Sequence, residues 1–573
     1  VNILGISCYY HDAAAALVRD GQLIAAAEEE RFSRVKHDFG FPLNAIRFCL
    51  QRGGITGDEL DYIIFYERPF TKFERVLTTS IQTFPKSFGV FRESMVSWML
   101  EKLWIKGIIK DKVGVNSKKI LFCDHHLSHA ASSYFCSPFQ EAAILTADAV
   151  GEWTTATLGE ARGNQIHLTH ELRFPHSVGL LYSTFTAFLG YEVNEGEYKV
   201  MGMAPYGTPK YIDEIYKVVQ VNDDGSIWLN MEYFSFHHST SRMFSRKFES
   251  LFGTPRDPRE RDVLDPYYAD IAASIQVVTE EILLTMAKYL HRRTGLKELC
   301  MAGGVALNSV ANGRILRETP FEQIYIQPSA GDGGGAIGAA LYAYHTLLGQ
   351  PRVFVMEHAY WGQEFTDSEV AKFVQANGLR ADEMSNEDTL CERVVDSLSR
   401  GEVVGWMQGR FEFGPRALGN RSILADPRRA EMKDIVNRKI KFREPFRPFA
   451  PSVLAEATPT FFQMPNSVEQ PSTRFMLLVV PVKENQRDNI PAVTHVDGTA
   501  RVHVVDEGRN PLYHKLIRTF GQATGVPVVL NTSFNLKGEP IVTTPADALN
   551  TFMRSEMDLL VIGPYVLSKD NIK

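Results

Sequence analysis

Short apolar runs separated by turn residues open the chain. Val1 to Ser7, Ala13 to Val18 and Gln22 to Ala27 are rich in small and β-branched residues, and Asp20-Gly21 divides the last two. That pattern predicts a strand followed by a tight hairpin. A second stretch reads the same way. An apolar run from Ala142 to Ala147 ends on Asp148, Thr154 to Leu158 follows as a strand, and a turn around Gly163-Asn164 leads to Ile166 to Leu172. Each unit carries a polar group at the tip of its first strand, His11-Asp12 in one and Asp148 in the other.

Paired hairpin units of this kind predict an actin-like α/β fold in which the same subdomain type occurs twice. Apolar residues then recur at spacings of three and four from Tyr268 to about Arg293, which predicts a long helix. Leu299 to Asn308 reads as a short buried strand breaking into a glycine turn. Ile324 to Ile326 leads into Ala330-Gly331-Asp332-Gly333-Gly334-Gly335, and a small-residue helix runs from Ala336 to Leu347. Glycines there are expected to let the backbone approach a ligand, with the helix N-terminus offering N–H groups to an anion. Periodicity is lost between Gly349 and Gly362, so the expected domains are 1–350 and 351–573. Beyond that point strands alternate with basic loops: Val403 to Met407 is one strand, and Val526 to Leu530 is another that ends in Asn531-Thr532-Ser533-Phe534-Asn535.

The 573 residues carry 61 Lys+Arg against 68 Asp+Glu, a formal charge of −7 that argues against broad affinity for nucleic acid or membrane. No apolar run approaches the ~20 residues that span a bilayer. Six scattered cysteines without a CxxC pair read as reduced core thiols, so a cytoplasmic protein is expected.

Within Asp124-His125-His126-Leu127-Ser128-His129, His125 and His129 are four apart and share one face of a helix. Two imidazoles at that spacing can hold one metal ion, with Asp148 and Asp332 as oxygen ligands and His126 as a competitor. The pair alone is equally compatible with a histidine-bearing surface turn. His11 beside Asp12 has the arrangement of a general base or of a histidine satisfied by turn backbone. In the second domain Arg416, Arg447 and Arg501 sit among Gly, Pro and Phe, which suits a polyanion pocket better than a solvated face, and Asn531 and Ser533 add neutral hydrogen bonds. No GxxxxGK[ST] is present, so any ATP site is of another kind.

Taken together, several motifs resemble the O-carbamoyltransferases of the NodU/CmcH type over essentially the whole length. They are Tyr10-His11-Asp12-Ala13, Ala27-Glu28-Glu29-Glu30-Arg31-Phe32, the His125/His129 pair, Thr146-Ala147-Asp148 and Met301 to Asn308. Gly331-Asp332-Gly333-Gly334, Gly414-Pro415-Arg416-Ala417-Leu418-Gly419 and Asn531 to Asn535 complete the set. The resemblance implies an N-terminal domain close to the TsaD protein of threonylcarbamoyl tRNA modification and a C-terminal domain similar to YrdC. It implies that ATP and carbamoyl phosphate become carbamoyl-AMP in the second domain and that a hydroxyl of a small natural-product or sugar acceptor attacks that intermediate in the first.

By the same resemblance, His125, His129, Asp148 and Asp332 hold the metal, iron(II) first, with manganese and zinc as alternatives. His11 is the base for the acceptor hydroxyl. Arg416, Arg447, Arg501, Asn531 and Ser533 surround ATP and carbamoyl-AMP, while Lys36 and Asn308 contact the intermediate or acceptor in the first domain. Lys441-Phe442-Arg443 fits the KxR signature of YrdC proteins by type, with Arg447 competing for the same phosphates. The expected partner is a small hydroxylated acceptor, with no nucleic acid or membrane, and a homodimer is an open alternative to a monomer. Phe65 to Trp104 and Trp228 to Phe252 are the expected acceptor lining. A threonylcarbamoyl-type tRNA-modifying enzyme is the alternative reading of the same two domains.

Overall fold

A computed structural model of the chain describes residues 1–100, 102–260, 262–465 and 469–569. Two compact units emerge, one of residues 1–29 and 38–356, the other of residues 30–37 and 357–573. The first unit is therefore interrupted, in contrast to the continuous 1–350 expected from the periodicity.

In the first unit, β1 (Asn2–Ser7), β2 (Ala14–Arg19), β3 (Gln22–Glu28), β4 (Tyr62–Phe65) and β5 (Ile120–Phe122) form a sheet of order β3-β2-β1-β4-β5. Asp20 and Gly21 turn the hairpin with φ of 49° and 80°, the paired positive values that a two-residue turn matching strand twist requires. The second sheet contains β6 (Glu141–Ala147), β7 (Thr154–Arg162) and β8 (Gln165–Arg173). A separate small hairpin, β9 (Val219–Val221) and β10 (Ile227–Leu229), intervenes before β11 (Glu298–Ala302) and β12 (Gln323–Ile326) complete that sheet.

The second sheet has the order β12-β11-β6-β7-β8. Read from its other edge, it repeats the first sheet: three antiparallel strands, then two added in parallel. This is the actin-like arrangement. β1 and β6 are buried beyond their first residue because elements cover both faces, whereas β8, on the edge, alternates exposed and half-buried positions. The long helix spans Pro266–Thr294, opened by Asp265 accepting the Tyr267 N–H and closed at Gly295 with φ 65°.

Helices His125–Tyr134 and Asp332–Tyr342 lie against each other. At Gly338 a Cβ would sit 1.9 Å from the carbonyl oxygen of Ser128, so only glycine permits this approach. Within the glycine run before it, a Cβ on Gly334 would lie 2.0 Å from the Ser329 carbonyl, whereas one on Gly331 would meet nothing within 4 Å. The helix carries on into a wider π-turn, Ala343–Leu347.

In the second unit the strands are β13 (Asp382–Glu383), β14 (Val404–Met407), β15 (Arg421–Ala425), β16 (Ala450–Leu454), β17 (Val479–Pro481), β18 (Thr499–Arg501), β19 (His503–Val505), β20 (Val528–Ser533), β21 (Leu559–Ile562) and β22 (Tyr565–Ser568). Eight of them form a mixed sheet of order β13-β22-β21-β14-β15-β20-β16-β19, and β17 pairs with β18 apart from it. Side chains alternate between two cores. Met407, Ile423, Leu530 and Ile562 face one, while Trp406, Leu424, Val529 and Val561 face the other. Helices Glu387–Arg400 and Pro511–Thr524 cover the Trp406 side. β20 runs on to Ser533, so Asn531 and Ser533 belong to the strand and not to a loop beyond it.

All six cysteines are buried and free. Among the described residues no helix is long and apolar enough to cross a membrane.

Candidate functional site

His125 and His129 are fully buried on their helix and converge with Asp148, one residue past β6, and Asp332, the first residue of its helix. Their ligand atoms all lie within 4.8 Å of one another. His125 Nε2 is 3.1 Å from His129 Nε2 and 3.1 Å from Asp148 Oδ2, while His129 Nε2 is 3.3 Å from the same oxygen. Asp332 Oδ1 stands 3.6 and 3.5 Å from the two nitrogens. Ligands bound at about 2.0–2.2 Å to one ion are spaced by roughly 3–3.5 Å across adjacent positions, so this donor set fits a divalent cation.

Electrostatics point the same way. Burial opposes charge on His125, yet Asp332, Asp148 and Glu67 push its pKa well above the ordinary imidazole value. Burial raises Asp148, but its hydrogen bonds with His125 and His129 hold it well below the usual carboxylate range. The carboxylates demand positive charge at the centre.

The glycine turn after β11 serves this centre. Gly303 has φ 94° and its Cβ position would fall 2.2 Å from the Ala147 carbonyl, which lets the Gly304 N–H reach Asp148 Oδ1 at 3.2 Å. The Tyr66 hydroxyl donates to Asp332 Oδ2 at 3.2 Å. His126 stands outside the set. Its Nδ1 meets Thr146 Oγ1 at 2.7 Å, and burial beside the other two imidazoles keeps its pKa well below the ordinary value.

His11, half-buried, has Nδ1 2.7 Å from Asp12 Oδ2 and Nε2 3.2 Å from the Asn194 carbonyl. Burial lowers its pKa, but Asp12 outweighs that and it is raised to about 9. Both nitrogens face acceptors, so His11 is held as imidazolium here, and service as a base requires Nε2 to leave Asn194. Asn308 is committed elsewhere. It caps helix Ser309–Glu318 through the Ala311 N–H at 3.1 Å and exchanges two amide hydrogen bonds with Gln276.

Lys36, expected in the first domain, belongs to the 30–37 segment of the second unit. There it is one of the cations, with Arg443 and Arg447, that depress the buried Lys441 well below the ordinary lysine pKa, after burial itself. Arg443 is depressed in turn by burial, Arg447 and Arg501. These residues therefore form one electropositive cluster. Lys441 Nζ donates to the Ser533 carbonyl at 2.8 Å and to Asn535 Oδ1 at 2.6 Å, so the lysine of the KxR-type sequence meets the strand carrying Asn531 and Ser533. Asn531 Nδ2 donates to the carbonyl of Ala417, next to Arg416, at 3.2 Å and to Ser452 Oγ at 3.0 Å. Its Oδ1 is buried without a hydrogen-bond partner.

Sequence reasoning passed over Glu67, Lys72 and Arg75. Glu67 lies two residues beyond β4, the same strand-tip signal that singled out Asp148. Arg75 is buried with its guanidinium 4.9 Å from the Phe174 ring centroid. Of the expected acceptor lining, Phe70, Phe84, Trp104 and Trp228 are exposed and Trp98 is buried; residue 101 lies outside the described residues.

Fold and ligand set together define an actin-like α/β protein with a buried, cation-competent centre, attached to a second unit bearing a basic cluster. Residues 2–341 match the family described as carbamoyltransferase N-terminus, and residues 395–569 match carbamoyltransferase C-terminus. The chain belongs to the carbamoyltransferase family, and it is an enzyme of carbamoyl transfer.

An uncharacterized protein of Synechocystis sp. is 48% identical over 99% of this chain and 97% of its own length. Nodulation protein NolNO of Sinorhizobium fredii is 39% identical over 98% of this chain and 79% of its own. The 3′-hydroxymethylcephem-O-carbamoyltransferase of Amycolatopsis lactamdurans is 34% identical over 52% of this chain and 55% of its own. Among solved structures, HypF of T. kodakarensis aligns over 61% of this chain and 48% of its own at 13% identity, with a TM-score of 0.30.

Proposed function

We propose that the chain is an ATP- and carbamoyl phosphate-dependent O-carbamoyltransferase whose two units divide the chemistry. In the second, YrdC-like unit water cleaves carbamoyl phosphate to carbamate and phosphate, and a carbamate oxygen then bonds to the α-phosphorus of ATP to give carbamoyl-AMP as pyrophosphate leaves. Arg443, Arg447, Arg501 and Lys441 bind the polyanion, with Arg416, Asn531 and Ser533 beside it, and Lys36 joins this cluster. Guanidinium forks suit the phosphates because they bind in pairs and keep their charge. A carbamoyl group is a poor electrophile, and adenylation supplies the leaving group it lacks.

The first unit, a duplicated TsaD-like domain, transfers the carbamoyl group to an acceptor hydroxyl. The observation that carries this reading is the buried convergence of His125, His129, Asp148 and Asp332. These four would hold iron(II), with manganese or zinc as alternatives, and the ion would supply Lewis-acid stabilisation of negative charge on the carbonyl or the departing phosphate. As the hydroxyl oxygen bonds to the carbonyl carbon, its proton passes to neutral His11, whose Nε2 has first left Asn194 and lost its own proton to solvent, and AMP departs. Burial of the centre excludes the water that would hydrolyse the intermediate.

The acceptor is a small hydroxylated natural product or sugar, a class supported by the hydroxymethyl group in the name of the cephem-specific relative. The decisive test supplies ATP, carbamoyl phosphate, iron(II) and a panel of alcohols. Pyrophosphate and a carbamate ester are expected, and no pyrophosphate under any of these conditions would rule the reading out.

A further inference from the structure

Beside the four ligands, the first unit buries a second charged pair. Glu67 Oε2 is 2.6 Å from Lys72 Nζ, and the two side chains are only 5% and 6% exposed. The same Oε2 stands 3.6 Å from Nδ1 of His125, the ring nitrogen that faces away from Asp148 and His129. Lys72 Nζ in turn lies 4.6 Å from the ring centroid of Tyr10, the neighbour of His11.

A buried ion pair is weak evidence of stabilisation, because desolvating two charges costs about as much as their attraction returns. Its position is more telling than its energy. A neutral imidazole has one N–H and one lone pair, and a carboxylate at one nitrogen fixes the proton there. A proton drawn to Nδ1 by the Glu67 carboxylate 3.6 Å away leaves the Nε2 lone pair of His125 directed at the cluster. Neither histidine has a hydrogen-bond partner at Nδ1, but His125 has this carboxylate beside it. The two histidines are thus not equivalent.

Lys72 answers the remaining difficulty, which is charge. Two neutral imidazoles and the carboxylates of Asp148 and Asp332 balance a divalent cation. A third carboxylate would leave the buried centre one charge too negative, and Lys72 cancels it.

We propose that Glu67 and Lys72 act as a positioning pair, Glu67 fixing His125 as an Nε2 ligand and Lys72 keeping the buried centre neutral with a divalent ion. The inference rests on the metal reading of the four-residue cluster.

The test titrates metal-free full-length protein with cobalt(II), following the visible d–d spectrum for coordination and thermal unfolding for the fold. Glu67→Met combined with Lys72→Met removes both charges at similar volume. It is expected to keep the unfolding midpoint of the metal-free protein, to bind cobalt roughly 10- to 100-fold more weakly and to change the spectrum. Glu67→Gln decides the matter if the double variant does not fold. It keeps an acceptor for the Nδ1–H but leaves Lys72 uncompensated, so its affinity should fall about 10-fold while its spectrum stays close to wild type. Wild-type affinity and spectrum in both variants would overturn the positioning role and leave the metal reading standing. Failure of the wild-type protein to bind cobalt at all would overturn the metal reading, and this inference with it.

Discussion

The Gly304 amide donates to Asp148 Oδ1 at 3.2 Å across a separation of 156 residues. That one bond joins the glycine turn after β11 to the tip of β6. It leaves the other oxygen of Asp148 for the histidines, 3.1 and 3.3 Å away.

Removing a ligand should separate the two halves of the reaction. Asp148→Asn or His129→Ala is expected to lower carbamoyl transfer by at least roughly 100-fold, since even outer partners of metal ligands are worth 10- to 100-fold. Pyrophosphate release from ATP and carbamoyl phosphate should persist. Parallel assays of pyrophosphate and carbamate ester check this, and an equal loss of both would refute it.

Lys441→Met should cripple the first half instead, with pyrophosphate formation falling roughly 100-fold, as expected for loss of a buried hydrogen-bond donor. The substitution also carries a pH signature. Burial, with Arg443, Arg447 and Lys36 next, depresses the folded-state pKa of Lys441. Between that pKa and the ordinary lysine value the unfolded chain binds more protons, so Lys441 makes stability rise with pH through this window. Denaturant unfolding across alkaline pH should show a shallower rise in the Met variant.

His11 should titrate high in the ligand-free protein, near its pKa of about 9. The Asp12 carboxylate stabilises the imidazolium, so Asp12→Asn should move the titration to lower pH. Histidine NMR signals measure this directly. The acid limb of the transfer rate should shift the same way, with a lower maximal rate because the ring loses its orienting partner.

Gly338→Val tests whether glycine is needed for the close approach of the two ligand-bearing helices. With a Cβ only 1.9 Å from the Ser128 carbonyl, the helices must separate. A loss of about 1–3 kcal/mol or more is expected from overpacking, read by denaturant unfolding, together with weaker metal binding.

Much of this could be read from residue order alone. The hairpins of the first unit are legible because runs of small and β-branched residues flank the turns at Asp20-Gly21 and Gly163-Asn164, and Asp148 stands out as a carboxylate ending a buried run. Glu67 offered a similar signal, but a four-residue strand followed by an aromatic tyrosine hid it. The glycines around Asp332 carried a mixed signal because glycine marks any close approach: Gly334 lies against the Ser329 carbonyl, while Gly331 has nothing within 4 Å of its Cβ position. Spacing could reveal neither the Glu67–Lys72 pair nor the coupling of Lys36 to Lys441, since both depend on where distant segments meet.

The 30–37 segment governs how this protein can be divided. Arg31 donates to the Gly414 carbonyl at 2.6 Å, Arg34 to the Ile541 carbonyl at 2.7 Å, and Thr543 Oγ1 to the Arg31 carbonyl at 2.7 Å. The second unit therefore completes itself with residues more than 300 positions upstream of Glu357, where the rest of it begins. A single cut after Met356 yields no self-sufficient half: the downstream piece lacks its arginine strap, and the upstream piece carries that strap without its dock. Any attempt to express the units as independent modules must first rebuild that loan.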